Sequence, residues 1–394
     1  MSQALSTPAC ELSLEFYHDW NGNCLSHTII CHKDGSSWWV KVVVEGSLPT
    51  TITTLGYLRR RATFRSFLEV IDFSQLRLLD NTLSRITLTL TEESHNSIPI
   101  QATVQDTENL FIAVCHRMRY EIEEDPKRVI YPNVEKIQGL RLFDASCLQI
   151  GEILAPTVYT AIVEQRKYAY KKIDRPLYEP EDTQGILFEI DALMHCRGQP
   201  NIAQIIGLVV SENPYKTSPY NNMPQVIRGF LLQYYPRGSL EQMINEGITT
   251  SDLSLLRCAL QVGRALIQLH KSERTHLDMK PSNVVLDAQG NAFLIDIGGA
   301  GSYTWDWLSP EMGQFLEQNS DKTPANARLS ARVATDSWAY GQILSVIAER
   351  SGNNTVREKL QEVGASLTKT ILEASISLTA ALEKLQIGCE PSLA

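Results

Sequence analysis

The chain has 394 residues, 43% of them apolar and 21% charged, with 45 Asp+Glu against 36 Lys+Arg for a formal net charge of −9. Such a composition excludes a disordered or collagenous chain, and the negative balance argues against a nucleic-acid surface, which needs clustered Lys and Arg. At roughly 100–200 residues per domain the length calls for two or three domains with separate cores, and two is the working count.

The N-terminus, MSQALSTPACELS, lacks the apolar stretch of a secretory signal, and no run approaches the ~18 apolar residues that span a bilayer. The expectation is an intracellular protein, cytoplasmic or nuclear, with no membrane partner. The 8 cysteines form no CxxC pair or regular framework, so reduced thiols without disulfides are expected. Cys24, His27, Cys31 and His32 lie close enough together to raise the question of zinc. Thr28-Ile29-Ile30 between them reads as strand, which sends neighbouring side chains to opposite faces, so a plain strand is the expectation.

From residue 11 to about 120 the texture is β: WWVKVVV at 38–44, the alternating ITLTLT at 86–91 and LFIAV at 110–114, separated by polar turns. One helix interrupts it near 58–71, and its run Arg59-Arg60-Arg61 reads as a solvated face. EIEEDPKR at 121–128 reads as a connector leading to a boundary near 135. Beyond it the pattern predicts strands to about 174, a helix at 184–196, strands to 235 and an amphipathic helix over 254–272. A strand-rich lobe followed by a helical one implies a cleft that suits a small ligand.

The segment His276-Leu277-Asp278-Met279-Lys280-Pro281-Ser282-Asn283, followed after a turn by Phe293-Leu294-Ile295-Asp296-Ile297-Gly298, resembles the catalytic and metal-binding loops of eukaryotic protein kinases. The chemistry explains the residue types: one carboxylate faces the acceptor hydroxyl, while a carboxamide and a second carboxylate hold Mg2+ against phosphates. Upstream, Tyr168-Ala169-Tyr170-Lys171 resembles the strand whose lysine reaches the α and β phosphates, with Lys172 pointing the other way. Glu189, in a helix running into Gln199-Pro200-Asn201-Ile202, then matches the lysine's ion-pair partner. Gly229 to Leu240 resembles the strand and hinge between kinase lobes. By that match Leu232 backs the adenine pocket, the backbone of Gln233 to Tyr235 contacts the base, and Val158, Ala169 and Val285 enclose the purine. Ser309-Pro310-Glu311 and Asp336-Ser337-Trp338-Ala339-Tyr340-Gly341 resemble the end of the activation segment and the start of the central helix.

The resemblance implies an α+β, bilobal protein-kinase-like fold preceded by a β-rich N-terminal domain. Its expected bounds are 1–135 for the N-terminal domain, about 136–232 for the small lobe, 233–235 for the hinge and 236–394 for the large lobe. It further implies a serine/threonine protein kinase using ATP and Mg2+ on a protein substrate, with Asp278, Lys280, Lys171 and Glu189 catalytic, Asn283 and Asp296 on the metal, and Gly151 on the nucleotide. The pattern is also broken in places. Of the glycine-rich loop only Gly151 survives, with Ile153 and Pro156 at later positions, which removes backbone freedom and one N–H donor. Leu277 stands where an arginine is usual, and only 16 residues run from Asp296 to Glu311, so switching by loop phosphorylation is not expected. Thr304 lies where serine/threonine kinases place a threonine against the catalytic Asp and Lys. The stretch between Glu311 and Asp336 is long and polar, and Ser375 occupies the place of the arginine that usually pairs with the Glu311 position. Two alternatives stay open: a pseudokinase acting as a binding module, and a kinase of a small-molecule hydroxyl.

Overall fold

The computed structural model describes residues 10–19, 24–46, 48–91, 97–101, 109–173, 178–180, 182–220, 222–247, 251–299, 303–369 and 376–387. Ser375 lies outside these. The chain divides into two compact units that are not two consecutive stretches: the first comprises residues 1–138 with 174–180 and 210–227, the second 139–173, 181–209 and 228–394.

The first unit holds a five-stranded sheet in sequential order: β1 (Glu11–Asp19), β2 (Leu25–Lys33), β3 (Ser36–Glu45), β4 (Leu83–Leu90) and β5 (Met118–Glu124). All pairs are antiparallel except β3 with β4, and that parallel pair is bridged by the crossover carrying α1 (Thr50–Thr53) and α2 (Tyr57–Val70). Alternate residues Leu25 and Ile29 on β2, Val40, Val42 and Val44 on β3, and Ile86 and Leu88 on β4 enter one core with Phe64, Phe67 and Phe111. Those three rings pack on one another with centroids 5.2–6.3 Å apart. The excursion at 210–227 joins the same unit. Trp39 Nε1 donates to Pro214 O (2.8 Å), its ring meets Tyr215 edge-on, and Asn81 and Thr217 exchange two hydrogen bonds.

Four expectations are corrected here. LFIAV at 110–114 is a short helix, α3 (Leu110–Val114), because Asn109 caps it by accepting from the amides of Phe111 and Ile112. The presumed connector EIEE is the end of β5, an edge strand whose charges face outward. Arg60 is not solvated: it is buried, donating to Asp19 at 2.8 Å and to the carbonyls of Thr53 and Leu55. Cys10 and Cys31 are disulfide-bonded, because the register Leu12↔Cys31 between β1 and β2 brings their Cα atoms to 6.0 Å despite a separation of 21 residues.

A six-stranded sheet, most of whose residues belong to the second unit, has the order β6-β10-β11-β9-β8-β7, from β6 (Arg141–Asp144), β7 (Gln149–Ala155), β8 (Val158–Val163), β9 (Arg166–Lys172), β10 (Ile205–Ser211) and β11 (Val226–Gln233). The helix α4 (Asp182–His195) lies between β9 and β10 in the chain. A helical part follows with α5 (Leu240–Asn245), α6 (Asp252–Lys271), the hairpin β12 (Val284–Leu286) and β13 (Ala292–Leu294), α7 (Pro310–Gln318), α8 (Leu329–Ala348), α9 (Asn354–Leu367) and α10 (Leu378–Gln386). A Cβ on Gly341 or on Gly364 would lie 2.8 Å from the other's carbonyl oxygen, so α8 and α9 cross backbone to backbone. Tyr340, fully buried, donates to Ala259 O (2.8 Å) and ties α8 to α6. This is the α+β arrangement expected, a mixed sheet and helices preceded by a β-rich region. Among the described residues no helix is long and apolar enough to cross a membrane.

Gly229 on β11 shows how tightly the six-stranded sheet is built. Its φ is +149°, and a Cβ there would lie 2.2 Å from the carbonyl oxygen of Lys171. Gly229→Ala is expected to lower stability by roughly 1–3 kcal/mol from backbone strain alone, read as a fall in the chemical denaturation midpoint.

Candidate active site

Three pieces of backbone position the charged residues. The antiparallel pairing of β9 with β11 sets Lys171 opposite Phe230, Ala169 opposite Leu232 and Tyr168 opposite Gln233. The β12–β13 hairpin, with Val284↔Leu294 and Val285↔Phe293, places Asn283 opposite Ile295, where Ile295 N donates to Asn283 O (3.1 Å). Asn283 and Asp296, 13 residues apart in sequence, are thereby brought to neighbouring positions at one end of the hairpin. Asp296 has φ +57° and Leu277 φ +63°, conformations uncommon for side-chain-bearing residues and held here by the surrounding bonds.

Lys171 Nζ donates to Glu189 Oε2 and to Asp296 Oδ1, both at 2.8 Å, and to Glu189 Oε1 at 3.0 Å. The sequence reading of Lys171 rather than Lys172 as the inward lysine therefore agrees with the geometry. One ammonium sits between two carboxylates. Burial by itself would lower the Lys171 pKa, but the charges of Asp296 and Glu189 outweigh it and hold the ammonium well above its ordinary value. Burial pushes the Glu189 carboxyl up to about 7, against the pull of Lys171 and with help from the negative charge of Asp296. Burial also acts to raise Asp296, yet Lys171 prevails and holds that carboxyl below its usual range. Asp296 is the more solvated of the two, its side chain keeping 41% of its surface exposed against 8% for Glu189, which explains why the shared cation favours its ionised form.

A second cluster surrounds Asp278, which is buried. Its Oδ2 lies 2.7 Å from Lys280 Nζ and accepts from Asn283 Nδ2 at 3.1 Å, while the same Asn283 amide donates to the Asp278 carbonyl at 2.8 Å. Lys280 Nζ also donates to Thr304 Oγ1 (2.8 Å), so the threonine singled out in sequence touches the lysine directly. Asp278 Oδ1 is buried without a hydrogen-bond partner among the described residues.

Two supports come from motifs to which the sequence assigned no contact. Asp336, fully buried on α8, accepts from the amides of His276 and Leu277 at 2.8 Å each and lies 2.9 Å from His270 Nε2. The turn after α4 is bound to β13: Leu294 N donates to Asn201 O (2.9 Å), Asn201 Nδ2 to Ala292 O (2.8 Å) and Ala203 N to Leu294 O (2.8 Å). The helix carrying Glu189 and the strand leading to Asp296 are thus joined. Asn201 holds this turn at φ +62°, a conformation that a short polar side chain tolerates.

The other site residues fall as follows. Val158 pairs with Lys171 across β8–β9, Leu232 is buried beside Ala169, and Val285 bridges to Ser239. Gln233 N donates to Gln204 O (3.0 Å). The ring of Tyr235 packs on Phe293 at 4.6 Å; burial pushes its hydroxyl pKa up. Gly151 lies on the edge strand β7 against Thr160, whose hydroxyl would be 2.5 Å from an added Cβ and accepts the Glu152 amide. Ile153, in the degenerate glycine loop, is exposed.

With these positions established, the comparison with known families is direct: the profile of the protein kinase domain matches residues 148–363, just over half of the chain. The chain belongs to the protein kinase family. It is 26% identical to Serine/threonine-protein kinase 12 of Arabidopsis thaliana over 38% of this chain and 30% of that protein. It is 25% identical to Integrin-linked protein kinase 1 of the same plant over 46% of this chain and 37% of that one. Against Mitogen-activated protein kinase 15 of Caenorhabditis elegans the identity is 25%, over 45% and 37% respectively. The chain therefore spans about a third of the length of these relatives.

Proposed function

We propose that this kinase transfers the γ-phosphoryl group of ATP, with Mg2+, to a serine or threonine hydroxyl of a protein substrate. The observation that supports the reading most strongly is the assembly of the whole charged set: Lys171 bonded to both Glu189 and Asp296, and Asp278 bonded to Lys280 and Asn283. We take residues 136–394 as the kinase domain, with its small lobe to 232, hinge at 233–235 and large lobe from 236.

The residues fit the groups the reaction needs. Among the described residues no three His, Cys, Asp or Glu gather to cage a metal by themselves. The Asn283 carboxamide and Asp296 carboxylate form a two-oxygen set of the kind that suits Mg2+, which takes few protein ligands and fills its octahedron with phosphate and water. When bound, Mg·ATP supplies the phosphoryl group and the metal charge that neutralises it. Asp278 orients the acceptor hydroxyl and accepts its proton at the carboxylate, where the unpartnered Oδ1 awaits a donor. Lys280, fixed by Thr304, balances charge on the moving group, and Lys171, held by Glu189, positions the α and β phosphates. In the hinge the Gln233 amide is engaged by Gln204, which turns the role of donor for an adenine ring between Ala169, Val158, Leu232 and Val285 to the amides of Tyr234 and Tyr235.

The test is thermal: a ligand that binds only the native state raises the melting midpoint, with about 2.7 kcal/mol gained at a hundred times Kd. Millimolar Mg·ATP is expected to raise the midpoint of the wild-type chain, and Asp296→Asn is expected to lose the metal-dependent part of that rise. No shift in the wild type would refute nucleotide binding and leave the pseudokinase reading, which the exposed Ile153 and the ring of Pro156 in the phosphate-covering turn favour.

A further inference from the structure

A cavity of about 380 Å³ opens between α7 and the first turns of α8. Met312 and Phe315 from α7, with Ala327, Ala331 and Ala334, give it apolar walls, and Glu311 and Arg328 add one charge of each sign to its lining. Ala331 and Ala334, three apart on α8, share one helix face, and their small side chains leave the space. An apolar cavity of about 150 Å³ holds a benzene ring, so this one has room for a leucine, methionine or phenylalanine side chain and part of its backbone.

Its place in the chain suggests what occupies it. Thr304, which accepts from Lys280 beside Asp278, precedes Ser309 of the cavity lining by five residues, a stretch of at most about 18 Å that a 3₁₀ turn over Trp305–Trp307 shortens. Trp305, within that stretch, is 49% exposed, and Tyr303, just before it, 36%, with ring centroids 6.5 Å apart. The Trp305 ring reaches α7, lying 3.9 Å from where a Cβ on Gly313 would stand. Trp305 therefore sets exposed aromatic surface in the segment between Thr304 and the helix that walls the cavity. A small-molecule acceptor would use only its first part, whereas an extended peptide at about 3.3 Å per residue covers the whole in at most about six residues.

We propose that this cavity receives a large apolar side chain of the protein substrate, four to seven residues from the serine or threonine that is phosphorylated. The proposal rests on the phosphotransfer reading and refines its substrate class. Trp305 supplies a rigid contact between the acceptor site and the cavity, the kind of side chain that carries binding energy at peptide interfaces.

The test uses the full chain with Mg·ATP and 15-residue peptides bearing one central serine in an Ala/Gly/Lys background, with leucine or phenylalanine walked through the flanking positions. At one position four to seven residues from the serine, KM is expected to fall about tenfold with kcat unchanged. Ala331→Phe, which fills the cavity, should return KM to that of the peptide without the apolar residue and leave the latter's kcat/KM within about twofold. Should that variant fail to fold, Ala334→Leu makes the same measurement. Nucleotide-free binding of the fluorescent peptides, followed by anisotropy, reads the preference without any transfer. Binding lost in the filled variant supports the cavity even if the phosphotransfer reading fails. A wild type that shows no positional preference in either assay overturns the proposal. So does a filled variant that changes only the sedimentation of the chain, since the cavity would then serve a second copy.

Discussion

Asp278→Asn is expected to lower kcat for phosphotransfer roughly 10²- to 10⁴-fold, the range set by removing a positioned general base, while KM for ATP stays within about threefold. The substitution is nearly isosteric. The asparagine oxygen can still accept from Asn283 Nδ2 and lie beside Lys280, so the loop keeps the contacts that now stand at 3.1 and 2.7 Å. On the proposed mechanism, what is lost is the capacity to take a proton and the negative charge that would orient the hydroxyl. Steady-state rates with melting curves check this: the midpoint and its rise with Mg·ATP should match the wild type. A kcat close to that of the wild type would remove Asp278 from the role of base. A fall in the Mg·ATP response equal to the fall in rate would instead assign its effect to nucleotide positioning.

The legible part of this fold is the part in which chemistry fixes both residue type and spacing. Asp278, Lys280, Asn283 and Asp296 could be read in order because a hairpin register holds Asn283 and Asp296 together, so the interval between them cannot drift. Lys171 could be separated from Lys172 because a strand alternates its faces. The misreadings have the opposite character. LFIAV is as apolar as a strand, and only the Asn109 cap, a local hydrogen-bond effect, decides for helix. EIEE looked like a connector because an edge strand carries charge to deter pairing. The buried Arg60 depends on Asp19, 41 residues away, and the Cys10–Cys31 bond on the register of two strands, neither of which composition reveals. The excursion at 210–227 is opaque for the same reason: Trp39 and Pro214 are 175 residues apart, and nothing local in either announces the other.

The largest effect on stability is expected at Asp336, which underlies the loop through His276 and Leu277. Its carboxylate is fully buried, and its two oxygens take the amides of His276 and Leu277 and face His270 Nε2. Leu277, at φ +63°, is in a conformation that costs energy and persists only because neighbouring bonds hold it. Asp336→Ala would leave two buried backbone donors and the partly buried His270 imidazole without their acceptor, and replacement of one partner in a buried charged network costs roughly 3–5 kcal/mol. For a unit of this size that corresponds to a fall in midpoint on the order of 10 °C, measurable by calorimetry. Asp336→Asn retains one acceptor oxygen but offers an amide where an acceptor is needed, so it should recover only part of the loss. The position of His276 links the fold to the reaction: its ring lies 2.9 Å from Ile295 O, next to Asp296, and its amide hangs from Asp336. Loosening Asp336 should therefore reduce the Mg·ATP response at temperatures well below the midpoint, where the chain is still folded. An Asp336→Ala chain that melts with the wild type would show that the loop is held by its own turns, and that the helix beneath it only fills space.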